Sequence, residues 1–305
     1  MTVTNKTIVL AGATGNLGGK IADALLAQGA AVRAIVRVDT DATKIAALGA
    51  RGVRSVVADW RDSDAIAAAC SDAGCVVSAL SGLRDVVIDA QTALLDGAVM
   101  AGVPRFIPSD YSLDFTRLAP GGNRNLDWRR EFHHILDAAD IQATTVFNGA
   151  FMELLTTDMP LILPRFKRVL YWGDTQIRMD LTTMDDVAAY TAHVALDDQA
   201  PRYLRIAGDT VSAADVRAIA SRVTGDTYRL FRAGGIGRLN ALIRIARFVA
   251  PGEDSLYPPW QGMQYMRDMM EGRAVLRAHD NDRYPALTWT SVEALLGSQA
   301  ATASP

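Results

Sequence analysis

Three observations predict an α/β chain: a doubly wound parallel sheet of the Rossmann type with a smaller C-terminal substrate-binding lobe. A short apolar run breaks into glycines at positions 12, 15 and 18. Apolar runs then alternate with alanine-rich segments as far as Phe147, and beyond it prolines divide shorter elements. Strands alternating with helices imply parallel pairing buried on both faces, and such sheets bind ligands at their carboxyl edge.

The first strand is Ile8-Val9-Leu10-Ala11. The helix after the glycines places Leu17, Ile21, Ala22, Leu25 and Leu26 on one face before Gly29 stops it. Gly12 lets the chain turn sharply out of the strand, Gly15 admits the backbone to a pyrophosphate, and Gly18 lets the helix lie close to the sheet. The phosphates rest on helix N-terminal N–H groups, with Thr14, Asn16 and Leu17 adding hydroxyl, amide and backbone donors. In a chain with 24 glycines the triplet alone is weak. The strand before it and the helix after it favour a dinucleotide-binding turn over a purely structural one.

Further strands are expected at 31–36, 53–58, 75–79, 106–108 and 143–147, with helices at 41–48, 62–69, 86–101 and 129–138 between them. The second strand ends in Arg37, where an enzyme selecting NAD carries an acid for the ribose 2′-hydroxyl. Arg37, with Lys44 beyond it, suits a 2′-phosphate and hence NADP(H); Asp39 opposes that reading. Ser78, Ala79 and Leu80, after the fourth strand, would border the ribose and nicotinamide.

Residues 1–150 are therefore expected to form the nucleotide domain, its sheet completed by segments near 177–207, with 151–305 mainly the lobe. Pro160, Pro164, Pro201, Pro251, Pro258, Pro259 and Pro285 punctuate this part. The run from Met184 to Tyr190 reads as a helix start with acids in its first turn. Ser212-Ala213-Ala214-Asp215 reads as a capping box, and the tail from Ser298 as frayed.

Composition narrows the function classes. Half of the 305 residues are hydrophobic and the net charge is −3, which gives no general pull toward nucleic acid or an anionic membrane. No run approaches the roughly 18 apolar residues of a membrane span, and no signal-peptide pattern is seen. Cys70 and Cys75 are the only cysteines and fit a reduced, cytoplasmic chain; no metal site is expected. A homodimer is compatible with all of this.

Several segments carry a family resemblance: Gly12-Ala-Thr-Gly15-Asn-Leu-Gly18, Val103-Pro-Arg-Phe-Ile-Pro-Ser109-Asp110, Asn148-Gly-Ala-Phe151, Met179 to Val187, and Tyr284 to Leu295. In order and spacing they span nearly the whole chain. The sequence resembles the isoflavone reductase-like and NmrA-like branch of the atypical short-chain dehydrogenases. The resemblance implies a Rossmann domain with a substrate lobe, NADP(H) as cofactor, and Ser109 and Asn148 on the cofactor side.

The sequence departs from that family where chemistry is concerned. Counting back from the strand that opens at Ile141, the position of the family's catalytic lysine falls on Arg129. No lysine lies between Lys44 and Lys167, and no Tyr-x-x-x-Lys pair exists. Arginine can hold a ribose and stabilise an oxyanion, but with a pKa above about 12 it is no general acid. His133, one turn after Arg129 on the same face, is the candidate proton donor, with a helix-face histidine without chemistry as the alternative. His134 points about 100° away. Tyr111, at the carboxyl end of the fifth strand, is a second candidate for orienting or protonating a substrate. Asp110, where the family has glutamate, reads as a structural hydrogen-bond acceptor.

On the substrate side, Phe151, Tyr171, Tyr257 and Trp260 offer aromatic surface for a flat small molecule. Met263, Met266 and Met270 fall at helical spacing and read first as a core stripe. Arg238, Arg244 and Arg247 read as the solvated face of an amphipathic helix, with an acidic partner as the other reading. The expected function is an NADPH-dependent reductase of a small aromatic or hydrophobic carbonyl or conjugated compound. The alternatives are an NADP(H)-binding redox sensor acting through a protein partner, and an isomerase or cyclase on the same fold.

Overall fold

The computed structural model describes residues 6–157 and 161–303. Pro160 and the end of the tail, Ser304 and Pro305, lie outside the described residues. The chain runs through β1 (Thr7–Ala11), α1 (Asn16–Ala27), β2 (Ala31–Val36), α2 (Ala42–Ala50), β3 (Arg54–Val57), α3 (Ser63–Cys70), β4 (Cys75–Ser78), α4 (Gln91–Met100), β5 (Arg105–Ile107), α5 (Arg124–Leu136) and β6 (Gln142–Ala143). A π-helical turn, Asp85–Ala90, leads into α4. The sheet order is β3-β2-β1-β4-β5-β6 with every neighbour parallel, the doubly wound order with its switch point between β1 and β4. Because helices cover the faces, the strands are apolar throughout: Val9, Ile35, Val76 and Phe106 pack with Ile66, Leu94 and Phe132 from the helices.

The chain continues through β7 (Thr145–Phe147), β8 (Ala150–Phe151), β9 (Ile162–Leu163), β10 (Arg168–Trp172), β11 (Arg178–Thr182), α6 (Met184–Leu196), β12 (Tyr203–Arg205), β13 (Asp209–Ser212), α7 (Ala213–Thr224), β14 (Arg229–Gly234), α8 (Ile236–Val249), α9 (Pro259–Met270) and α10 (Val292–Ala303). Two compact units result. The first holds residues up to 111, then 128–146 and 187–204; the second holds 112–127, 147–186 and 205–305. The single cut expected at 150 is replaced by repeated crossings, because α6 belongs mostly with the first unit and the 112–127 segment with the second. The segment 178–182 does not complete the parallel sheet either: β11 pairs antiparallel with β13 and parallel with β8. From 177–207, only β12 pairs near the sheet, on β7.

The second unit has its own core, in which Trp172, Leu181, Val216, Leu239 and Val292 meet Trp260, Met266 and Met270 of α9. The methionine spacing is thus a core stripe, as read. Ser212 and Asp215 form the reciprocal capping box expected at the start of α7. Two boundaries differ from expectation. Helix α5 starts at Arg124 because Asn123 caps it, its Oδ1 accepting from the Leu126 N–H, so the polar run before Arg129 is helix rather than loop. At the other end, α10 continues to Ala303 where a frayed tail was expected.

Candidate active site

The β1–α1 turn is built by close backbone packing. Gly12 has φ +85°, and a Cβ there would collide with the Ala79 carbonyl; a Cβ on Gly18 would come within 2.7 Å of the Gly12 carbonyl carbon. Only glycine fits either place. The Gly15 N–H donates to Gly12 O at 3.0 Å, closing the turn. Gly15 caps α1 with no side-chain hydrogen bond, and Thr14, Gly15 and Asn16, around the first-turn N–H groups, are exposed. At the end of β4, the Ser78 hydroxyl is fully buried with no partner among the described residues. An uncapped helix N-terminus, a glycine cradle and an orphaned hydroxyl on the switch point together fit a dinucleotide.

Arg37, directly after β2, is largely exposed and pairs with exposed Asp39 at 3.1 Å. Lys44 is exposed on α2, whose cap is the Asp41 carboxylate accepting from Thr43. Asp39 therefore neither buries nor removes the Arg37 charge; it is a solvated neighbour.

Past the carboxyl end of β5, Ser109 is held at every polar atom. Its N–H donates to Gln91 Oε1 at 2.9 Å, its Oγ to Leu80 O at 2.7 Å, and its carbonyl accepts from Arg129 Nε at 3.1 Å. Gln91 is completely buried and also donates to Val87 O at 3.0 Å. Sequence reasoning missed this residue. Its signal was a lone amide among Val86, Val87, Ile88, Leu94 and Leu95, and the π-helical turn before it, of a kind frequent at functional sites, turns it inward.

His133 lies one turn beyond Arg129 as expected, but in the interior. Its Nε2 meets Asp110 Oδ2 at 2.6 Å. Thr145 Oγ1 donates to the same oxygen at 3.0 Å and accepts from Arg202 Nη1 at 2.8 Å, and Arg202 Nε donates to Asp137 at 2.9 Å. Asp110 is thus in a structural hydrogen-bond pair, with His133 of α5 and Thr145 of β7 as partners rather than the neighbouring loop; His134 is exposed. Tyr111 changes role as well. Its ring is buried, desolvation pushes the phenol's pKa well up, and the nearby Thr191 hydroxyl opposes this without forming a well-aligned hydrogen bond. Burial of this kind makes the phenol a weaker acid than a free tyrosine. The cysteine thiols are equally withdrawn, pushed up by burial to about 11 for Cys70 and about 12 for Cys75.

In the second unit, Asn148 is fully buried and neither atom of its amide finds a partner among the described residues. Phe151 and Tyr171 are half-buried, and Tyr257 is 60% exposed. Trp260 is 2% exposed, donates its indole N–H to Pro251 O at 2.7 Å, and has the Arg124 and Arg247 guanidiniums over its ring. A side chain so enclosed is core, which corrects its assignment to substrate.

The family model that matches this chain is the NmrA-like family, over residues 4–236. The chain belongs to the NmrA-like family. The resemblance read from the motifs is therefore borne out. Pinoresinol reductase 1 of Arabidopsis thaliana is 31% identical over 209 residues, covering 64% of this chain and 66% of that protein. Among solved structures, AtPrR2 with NADP+ and (+)-pinoresinol superposes with a TM-score of 0.82 at 22% identity, covering 96% of this chain and 98% of that one. An isoflavone reductase gives 0.82 at 20% identity, covering 97% and 100%. These likenesses bear out the Rossmann-type fold. No helix among the described residues is long and apolar enough to cross a membrane.

Proposed function

We propose that the protein is an NADPH-dependent reductase of a small aromatic or hydrophobic carbonyl or conjugated compound. The observation that carries this is the uncapped α1 N-terminus, fixed by Gly12 and Gly18 against β4 in a chain of this family. The curated relative is named for reducing pinoresinol, and the structural relative holds NADP+ with that compound, which supports both cofactor and substrate class.

The α1 N–H groups with Gly15, Asn16 and Leu17 hold the pyrophosphate, Arg37 and Lys44 the 2′-phosphate, and Ser78, Ala79, Leu80 and Ser109 the nicotinamide ribose. When bound, NADPH supplies the hydride. Arg129, oriented by its bond to the Ser109 carbonyl, stabilises negative charge developing on the substrate oxygen. His133 keeps its Nε2 on Asp110 and so braces the helix face carrying Arg129, and the proton comes from water. Phe151, Tyr171 and Tyr257 are the aromatic groups assigned to the substrate.

The buried settings of His133 and Tyr111 favour one other reading, an NADP(H)-binding sensor without turnover. One cuvette separates the two. NADPH is bound, its occupancy confirmed by fluorescence, and its absorbance followed as aromatic aldehydes, quinones and enones are added. Steady oxidation with any of them supports the reductase. Full occupancy without oxidation across the panel overturns it in favour of the sensor.

A further inference from the structure

The exposed apolar side chains are unevenly placed. Phe231, Ile245, Phe248, Val249 and Tyr257 crowd one stretch of sequence, whereas Val38, Val57, Met100 and Phe166 are scattered. On α8, Ile245 is 59% exposed, Val249 74% and Phe248 89%. The same stretch carries Arg229, Arg232, Arg238, Arg244 and Arg247, with no acid between Asp226 and Glu253. Counting Glu253 and Asp254 against the five arginines leaves 5 − 2 = +3, inside a chain whose net charge is −3.

Helix α8 has two apolar faces. Leu239 and Ile243 are buried, and Leu242 and Ala246 pack on the same core. At about 100° per residue, Ala241, Ile245 and Phe248 fall on the opposite side, with Arg244 and Arg247 along one edge of that stripe and Arg238 along the other. Arg247 reaches over Trp260. Among the described residues, Arg238 and Arg244 form no ion pair with a carboxylate. A helix that only had to be solvated would need no second apolar stripe.

We propose that this outward face of α8 docks on an anionic lipid surface. Charge decides the occupant: a second copy of the chain would set Arg238 and Arg244 against their own counterparts, whereas lipid phosphates meet both with the opposite sign. Shape agrees, since the apolar side chains project singly from a convex helix. Such tips enter the headgroup boundary while arginine stems extend to the phosphates around them. Attachment is peripheral, and the low overall charge concealed it because the basic stretch is local. The inference stands apart from the reductase reading, since its test measures no turnover.

The purified full chain is sedimented with phosphatidylcholine vesicles and with vesicles in which about a third of the lipid is phosphatidylglycerol. Binding to the anionic vesicles is expected to be at least about tenfold stronger. It should be lost in 1 M salt, where the screening length falls to about 3 Å. Phe248→Ser, and separately Arg238→Gln with Arg244→Gln, should each weaken binding several-fold while melting temperature and NADPH occupancy stay unchanged. Ile245→Ser serves as a second apolar variant should Phe248→Ser melt early. Equal sedimentation with both vesicle types, none with either, or indifference to the substitutions overturns the proposal. So does a salt-resistant dimer in solution that Phe248→Ser dissociates, which gives the face to a second copy.

Discussion

Alanine at Gly15 and at Gly18 should separate nucleotide binding from folding. Gly15 has φ −83° and ψ 170°, which alanine adopts freely, and a Cβ there would meet only the Gly12 carbonyl oxygen, at 3.3 Å. Without nucleotide, Gly15→Ala should stay within about 1 kcal/mol of the parent, because the entropy removed from the unfolded chain, about 0.4–1 kcal/mol, offsets the tight contact. At Gly18 the added methyl overlaps backbone, with the Gly12 carbonyl carbon at 2.7 Å and Ala13 N at 3.1 Å, and backbone cannot swing aside. Overpacking of this kind costs about 3 kcal/mol and the helix propensity of alanine returns about 1, a net loss of about 2 kcal/mol. At about 2–4 °C per kcal/mol, the melting temperature should fall by several degrees. Thermal unfolding without nucleotide and a fluorescence titration with NADPH read the two effects. Gly15→Ala should melt like the parent yet bind NADPH at least about tenfold more weakly, since its methyl faces the open side of the phosphate cradle. Parent-like NADPH affinity in Gly15→Ala would remove the cradle as the binding site, and a parent-like melt in Gly18→Ala would refute the packing argument.

Three other substitutions test the remaining assignments. Arg37→Ala should leave stability unchanged, since its partner Asp39 is as exposed as itself, and lower NADPH affinity about 10–100-fold, the worth of a charged hydrogen bond. NADH affinity should not move; equal losses would cancel the 2′-phosphate assignment. Tyr111→Phe removes a buried hydroxyl that makes no well-formed hydrogen bond, so it should melt no lower than the parent and turn over substrate as fast, and a collapse in rate would return Tyr111 to the chemistry. His133→Leu leaves the Asp110 carboxylate buried with Thr145 alone and should cost about 3–5 kcal/mol in urea unfolding, with Asp110→Leu added on the same chain recovering part. Unchanged stability in the single variant would show that the pair is not structural.

What could be read from the chain was whatever is coded locally. The glycine turn, the strand–helix alternation, the Ser212–Asp215 capping box and the methionine stripe each depend on residues within a turn or two of one another, and each is present. The face shared by Arg129 and His133 was equally legible, because four residues make a turn. Which way that face points was not: Arg129 reaches the Ser109 carbonyl while His133 is turned onto Asp110, and the helix's rotation is set by Phe132 packing on Phe106 of β5. Gln91 was invisible for the same reason, since its partner, the Ser109 N–H, comes from the loop after β5. The crossings between units escaped because α6 reads as an ordinary amphipathic helix whichever unit receives it. On α8 the apolar residues were plain, but only exposure distinguishes one stripe facing a core from a second facing outward.

Arg129 is where sequence and structure leave the sharpest question, and restoring lysine there answers it. Arginine holds its proton at any pH at which enzymes work, so it can offer charge but not acid. Lysine offers both, with an ordinary pKa near 10.4, but as a compact point charge that would lose the Nε–H bond now made to Ser109. If Arg129 acts by charge alone and water supplies the proton, Arg129→Lys should keep most of the turnover and Arg129→Gln should lose it, with NADPH affinity nearly constant across the three. The lysine variant should acquire an alkaline limb, its rate falling as the ammonium loses its proton with rising pH. A pH–rate profile of parent and Arg129→Lys reads this directly. Full turnover in Arg129→Gln would sink the assignment, because a neutral amide can replace the hydrogen bond to Ser109 but not the charge.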